Sequence, residues 1–227
     1  MSSELFSAFE HLVVLDTETT GITHKTDEII ELAALRAVPG SSGLETAEEM
    51  DLLIRLSPGR SLPPEIAALT GITPDMLQRE GVEKAAAAAR FVRLLSHPNT
   101  LVVAYNAQFD LCFLYYFLAR LGLENALQGI KMLDALTIYK DRHDYPHKLA
   151  NAIETYRLQG ENTHRAIDDA KATLELLEAM AAEEDDLSRY INLFGYHPKY
   201  GVSGPRISSI CYRPQGYDRR EKLYQKP

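Results

Sequence analysis

The chain is poor in cysteine. Its 227 residues hold two, Cys112 and Cys211. Neither stands at a metal-ligand spacing, which excludes a cysteine-built metal site and fits reduced thiols in a cytoplasmic protein. Long apolar runs are missing too: none approaches the roughly 20 residues that a membrane-spanning helix needs. The N-terminus has no basic segment followed by an apolar stretch, so no signal peptide and no membrane partner are expected. Positive charge is short. A formal net charge of −8 excludes a chain that coats nucleic acid by bulk electrostatics. The deficit is uneven: from Lys199 onward seven Lys or Arg face two Asp or Glu, a local +5, so the first 198 residues carry −13. An acidic body still binds phosphates where bound divalent cations supply the positive charge. Internal repeats and low-complexity segments are absent as well.

What is there begins with Asp16-Thr17-Glu18-Thr19-Thr20-Gly21, which follows the apolar run Leu12-Val13-Val14-Leu15. That run predicts a buried strand. With a side-chain period of two, Asp16 and Glu18 share one face. Two acids at the tip of a core strand repel each other and resist desolvation, which a cation or a shared proton relieves. Taken alone, they are equally two solvated acids at a strand end. The pattern continues with strands at about 28–38 and through Met50, Leu52, Ile54 and Leu56, a meander of three. A short helix starts around Pro63-Pro64, Thr70–Pro74 is a turn between short helices, and a helix follows over Glu83–Leu95. A buried strand at Leu101–Ala104, a helix over Gln108–Leu121 and a strand near Lys131–Leu133 come next. Asp134 opens a further helix, and a charged loop spans Lys140–Lys148. Helices over Leu149–Tyr156 and about Ala166–Glu183 complete the body. A meander followed by alternating strands and helices predicts an α/β fold with a mixed sheet covered on both faces. The expected division is a body over 1–186 and an extension over 187–227.

Two further acids are placed by helical phase. From Asp110, positions three, four and seven residues on are Phe113, Leu114 and Phe117, so Asp110 heads a core-facing stripe. It is equally an N-terminal carboxylate favoured by the helix dipole. From Asp169 the inward positions are Ala172, Thr173, Leu176 and Met180. From Asp168 they are Lys171, Glu175 and Glu178. Asp169 therefore faces the core and Asp168 solvent. His164 precedes that helix, either beside the same site or simply on the surface. Convergence of Asp16, Glu18, Asp110 and Asp169 would need cations, and oxygen ligands favour Mg²⁺ or Mn²⁺ over zinc. Two such ions about 4 Å apart suit in-line displacement at phosphorus, with a histidine taking the proton from water.

The segments DTETTG, YNAQFD and HRAIDDA, in that order, resemble the three motifs of the DEDDh (DnaQ-like) 3′→5′ exonuclease family, which includes the proofreading epsilon subunit of bacterial DNA polymerase III. The resemblance covers about residues 10–182. It implies a ribonuclease H-like fold with a five-stranded mixed sheet. It implies Asp16, Glu18, Asp110 and Asp169 as ligands of two Mg²⁺ or Mn²⁺ ions and His164 as general base. The histidine-to-aspartate spacing of the third motif selects Asp169, as helical phase does. Thr17, Gly21 and Asn106 would then bind substrate, and Ile72, in the turn Thr70–Thr73, would touch the terminal base. One position departs: Tyr105 stands where many relatives have histidine. It is none of the four ligands, so catalysis is expected to survive, with altered packing at the strand end.

The implied reaction is hydrolysis of single-stranded DNA 3′ ends to nucleoside 5′-monophosphates, in repair or as a polymerase proofreading subunit. An RNA-processing exonuclease on the same scaffold is the alternative, since contacts to the 2′-OH are not legible. A non-catalytic nucleic-acid-binding or polymerase-docking module is a third reading, against which the intact ligands count. The extension sets Tyr196, Tyr200, Tyr212, Tyr217 and Tyr224 among Arg206, Arg213, Arg219 and Arg220. Such a segment folds back on the body, stacks on single-stranded bases or docks a polymerase partner.

Overall fold

The computed structural model describes residues 3–41, 43–216 and 221–226. Tyr217, Arg219 and Arg220 thus lie outside the described residues. After a short helix α1 (Glu4–Ala8), three strands form the antiparallel meander: β1 (His11–Thr19), β2 (Ile29–Pro39) and β3 (Leu44–Leu53). Helices α2 (Pro64–Thr70), α3 (Pro74–Arg79) and α4 (Lys84–Leu95) lead to β4 (Thr100–Ala104) and α5 (Ala107–Ala119). Strand β5 (Lys131–Asp134) runs into α6 (Ala135–Arg142), followed by α7 (Leu149–Tyr156) and α8 (Ala166–Glu183). The central sheet has the order β3-β2-β1-β4-β5. Strand β1 pairs antiparallel with β2 and parallel with β4, and β4 pairs parallel with β5. This is the mixed five-stranded sheet expected.

Strand β1 is apolar on both faces because each face is covered. Leu12 and Val14 pack against α8 residues such as Leu176, Leu177 and Met180. Val13 and Leu15 pack against Phe91 and Leu94 of α4 and Leu111, Leu114 and Phe117 of α5. Parallel strands put their C-terminal ends together, so the ends of β1 and β4 and the starts of the helices that cover them meet at one edge of the sheet. Ligand sites of α/β sheets form at that edge.

The segment predicted as a loop from Lys140 is helical for its first three residues, since α6 continues to Arg142. Arg142 explains this. Its side chain is almost fully buried and pairs with Glu183 and Asp186, and Nη1 also donates to the Met180 carbonyl. A charge read as solvated is instead sealed against α8.

The residues after α8 return to the body. Strands β6 (Leu193–Tyr196) and β7 (Cys211–Pro214) form a parallel pair. Thr137 Oγ1 accepts from the Gly195 N–H at 2.9 Å, and the Asn192 amide side chain accepts from Met132 N–H at 2.8 Å. Buried Asp141 receives three donors from this segment: the Tyr190 hydroxyl, the Gln215 amide and the Leu223 N–H. Tyr190 is fully buried, while Tyr200 is 74% exposed. No helix among the described residues is long and apolar enough to cross a membrane.

Candidate active site

Asp16 and Glu18 stand on one face of the last turns of β1, both partly buried. Glu18 lies opposite Glu31 of β2, and a register shift after Glu18 marks a bulge. Bulges re-aim side chains at strand ends. Thr17, between the acids, points to the other face, where its hydroxyl donates to Asp110 Oδ1 at 2.7 Å. Asp110 is 2% exposed and sits in the first turn of α5. Asp169, 6% exposed, sits in the first turn of α8. Asp168, one residue earlier, turns outward and accepts from the Thr163 hydroxyl.

His164 is exposed and left-handed, with φ of 58°. Non-glycine residues hold that conformation only where their surroundings impose it. Here the flanking Asn162 and Thr163 side chains bond Asp169 and Asp168. One ligand atom each of Glu18, His164 and Asp169 lies within 4.8 Å of the others.

Mutual repulsion identifies the rest of the cluster. Burial, then Asp110, Asp169 and Glu18, hold the Asp16 carboxyl well above the usual range. Burial, then Asp169, Glu31 and Asp110, push Glu18 up to about 8. Burial raises Asp110 to about 7 against the pull of the Thr17 bond. Asp169 is raised mainly by burial. Asp169 Oδ1 is also buried without a hydrogen-bond partner. Four acids whose carboxyls are held above their usual range by burial and mutual repulsion, one with an orphaned oxygen, fit hard divalent cations bound through oxygen. The residues that would hold them are Asp16, Glu18, Asp110 and Asp169.

The remaining expected contacts divide. At Gly21 a Cβ would lie 2.5 Å from Asp27 Oδ2, so a side chain there would displace that carboxylate. Asn106, exposed and left-handed at φ of 66°, begins α5 beside Asp110. Ile72 departs from expectation. It has no exposed surface and packs with Ile30, Leu62 and Leu77. It plugs the turn between α2 and α3, and a base cannot reach it there. Ile22, adjacent to Gly21 and 84% exposed, is the open apolar side chain in this region. Tyr105 takes up the strand-end position by packing into the core and donating its hydroxyl to the His147 carbonyl at 2.9 Å.

Two buried acids hold the site's helices in ways the sequence reading did not anticipate. Glu31 is 0% exposed. Its Oε1 accepts from Arg165 Nε and Nη2 at 2.8 and 2.6 Å, and its Oε2 from the Ala166 N–H at 2.8 Å. It ties the first turn of α8, which carries Asp169, to β2. Asp134 caps α6 and also accepts from the Asn106 and Ala107 N–H groups at 3.0 and 3.1 Å. It thereby fixes the start of the helix that carries Asp110. A lone acid inside the apolar run Ile29–Ala34 was the available signal for Glu31, and an acid between strand and helix that for Asp134.

Known proteins resemble this chain in sequence and in fold. The exonuclease family model RNase_T matches residues 13–177. The chain is 31% identical over 193 residues to the DNA polymerase III subunit epsilon of Treponema pallidum, covering 78% of this chain and 80% of that protein. It is 33% identical over 180 residues to the 3′-5′ exonuclease DinG of Bacillus subtilis, covering 75% of this chain and 18% of that one. It is 33% identical over 175 residues to the PolC-type DNA polymerase III of Thermotoga petrophila, covering 75% of this chain and 12% of that one. The chain thus matches most of one relative's length and a small part of the other two. Among solved structures, E. coli exonuclease I in a zinc-bound complex with single-stranded DNA superposes with a TM-score of 0.71 at 22% identity. That match covers 80% of this chain and 42% of the other and shows a shared fold.

Proposed function

The chain belongs to the RNase_T exonuclease family, the DnaQ-like group, and from that premise we propose that it removes nucleotides one at a time from the 3′ end of single-stranded DNA in a reaction needing two Mg²⁺ or Mn²⁺ ions. The carrying observation is the meeting of Glu18, His164 and Asp169 within 4.8 Å, with Asp16 raised by burial and by repulsion from Asp110, Asp169 and Glu18. Asp16, Glu18, Asp110 and Asp169 would hold the divalent cations, which would supply the charge that makes water nucleophilic and steadies the departing oxygen.

The chain's own residues do the rest. His164 reaches the site from an exposed loop and accepts the proton of the attacking water. The water oxygen bonds to phosphorus, the bond to the 3′ oxygen of the penultimate nucleotide breaks, and that oxygen takes a proton from solvent water to leave as a hydroxyl. The products are a nucleoside 5′-monophosphate and a strand shorter by one. Thr17 holds Asp110 and the turn through Gly21 fixes the floor under the terminal nucleotide, with Asn106 beside it. Ile22 offers its base an apolar contact. Repair and proofreading beside a polymerase are both served by this reaction, and the match to most of an epsilon subunit supports the second.

The test is degradation of matched 3′-ended DNA and RNA oligonucleotides with Mg²⁺, Mn²⁺ or EDTA. Metal-dependent laddering of DNA from its 3′ end, lost in Asp16→Ala and Asp169→Ala, is the expected result. Faster laddering of RNA would move the assignment to the sugar's 2′-OH. A folded protein that cuts neither strand with either metal would leave a binding module instead.

A further inference from the structure

The mechanism accounts for one nucleotide and leaves the rest of the strand without a place. Beside α5, away from the carboxylates, lies an open cleft of about 820 Å³, inside the range of about 300–1,000 Å³ that holds ligands. The outer face of α5 forms one wall, the connector 124–129 a second and the loop 205–209 a third. The third wall lies beyond the residues matched by the family, which end at 177. It belongs to this chain's own extension.

That wall is firmly held. Gln108 Nε2 donates to the carbonyls of Ser203 and Pro205, each at 2.8 Å. Gln108 Oε1 accepts from the Tyr212 hydroxyl at 2.6 Å, and that hydroxyl accepts from the Ile207 N–H at 3.0 Å. Gln108 lies two residues before Asp110 on the same helix. The loop is therefore pinned to the turn that carries a proposed ligand.

A run of rings joins the two places. Phe109, next to Asp110, lies 4.9 Å from Phe113, and Phe113 lies 6.4 Å from His24. His24 stacks on Tyr116 at 5.2 Å, and Tyr116 meets Tyr115 at 5.3 Å on the cleft. Tyr115 is 45% exposed. Across the cleft mouth stands Arg206, exposed, its guanidinium over the rings of Tyr212 and Tyr196 at 5.2 and 5.7 Å. No carboxylate among the described residues pairs with it. Among the described residues the one acid on the lining, Glu124, comes from the connector wall, so a phosphate is drawn to the wall of Arg206, Ser208 and Ser209.

We propose that this cleft is a second subsite for single-stranded DNA, taking nucleotides upstream of the 3′ terminus with a base on Tyr115 and a phosphate on Arg206. Exposed aromatic faces beside an unpaired cation are the means by which proteins hold single strands without reading sequence. The subsite rests on the exonuclease reading for its substrate and adds a place for length to be sensed.

The test compares wild type with Tyr115→Ala and Arg206→Gln on two substrates. One is the p-nitrophenyl ester of thymidine 5′-monophosphate, which has no upstream strand. The other is a DNA oligonucleotide of about 12 nucleotides, within known site sizes. Binding of the oligonucleotide in EDTA is measured in parallel across salt concentrations. The expected result is an unchanged rate on the ester and a raised KM for the oligonucleotide in each variant, by about 10-fold in Tyr115→Ala, as loss of one stacked base produces, and in Arg206→Gln through loss of one phosphate contact. Arg206→Gln should also make the salt dependence of binding shallower by about 0.7 in slope. Unchanged oligonucleotide KM and binding in both variants overturns the subsite, as does an equal loss on ester and oligonucleotide. If wild type cleaves neither substrate but binds the oligonucleotide, and the variants bind it less, the exonuclease reading fails and the subsite stands. If wild type neither cleaves nor binds, both fail.

Discussion

Glu18→Gln should make the cation-free protein more stable while destroying its activity. The unfolded chain releases the Glu18 proton near the ordinary value of 4.5, but the folded chain keeps it until about pH 8. Between those values the unfolded state binds fewer protons, so wild-type stability falls as pH rises from 4.5 to 8 and levels above it. At about 1.36 kcal/mol per unit the full span approaches 5 kcal/mol. Glu18 is partly exposed, and solvent screening reduces this to about 2 kcal/mol. Glutamine never ionises and escapes the penalty. For a chain of this size about 2 kcal/mol is roughly 4–8 °C in Tm. Melting in EDTA should show the variant above wild type by that margin at pH 8.5, with the curves meeting near pH 4.5. Millimolar Mg²⁺ should raise wild type and leave the variant nearly unmoved. A variant that melts below wild type at pH 8.5 in EDTA, or a gap that does not grow with pH, would refute the electrostatic reasoning.

Three further outcomes are expected. His164→Ala should lower the cleavage rate by about 10²–10⁴-fold with stability within about 0.5 kcal/mol, because its side chain is exposed; single-turnover kinetics and a melt check both. Glu31→Gln should cost about 2 kcal/mol, less than the roughly 3–5 of a sealed pair, since Arg165 keeps 32% of its side chain in water. Denaturant midpoints measure that cost, and nuclease assays should show kcat falling as α8 loosens. Asp141→Ala removes the acceptor of three bonds and should cost about 3 kcal/mol. Trypsin should then cut after Lys222 faster than in wild type at the same temperature.

What could be read from the sequence was what repeats locally. Helices α7 and α8 were expected at their observed bounds because their apolar spacing is complete within the segment. The same periodicity distinguished Asp169 from Asp168 before any packing was known. Glu31 was missed because its meaning lies in its neighbours across strands: it faces Glu18 in register and Arg165 from a helix more than a hundred residues later. Arg142 misled for the same reason, since nothing local distinguishes a buried ion pair from a solvated charge. Ile72 has the residue type of a base contact, and only the surrounding Ile30, Leu62 and Leu77 reveal it as core. Strands β6 and β7 have four residues each, too few for a period to declare itself.

The acids come from the first strand, from the middle of the chain and from its last long helix, so the full set meets only when α8 packs on β1 beside the start of α5. During synthesis Asp16 is made early and Asp169 late, with β4 and β5 still to be laid down in between. A growing chain therefore carries the parts of a nuclease without being one.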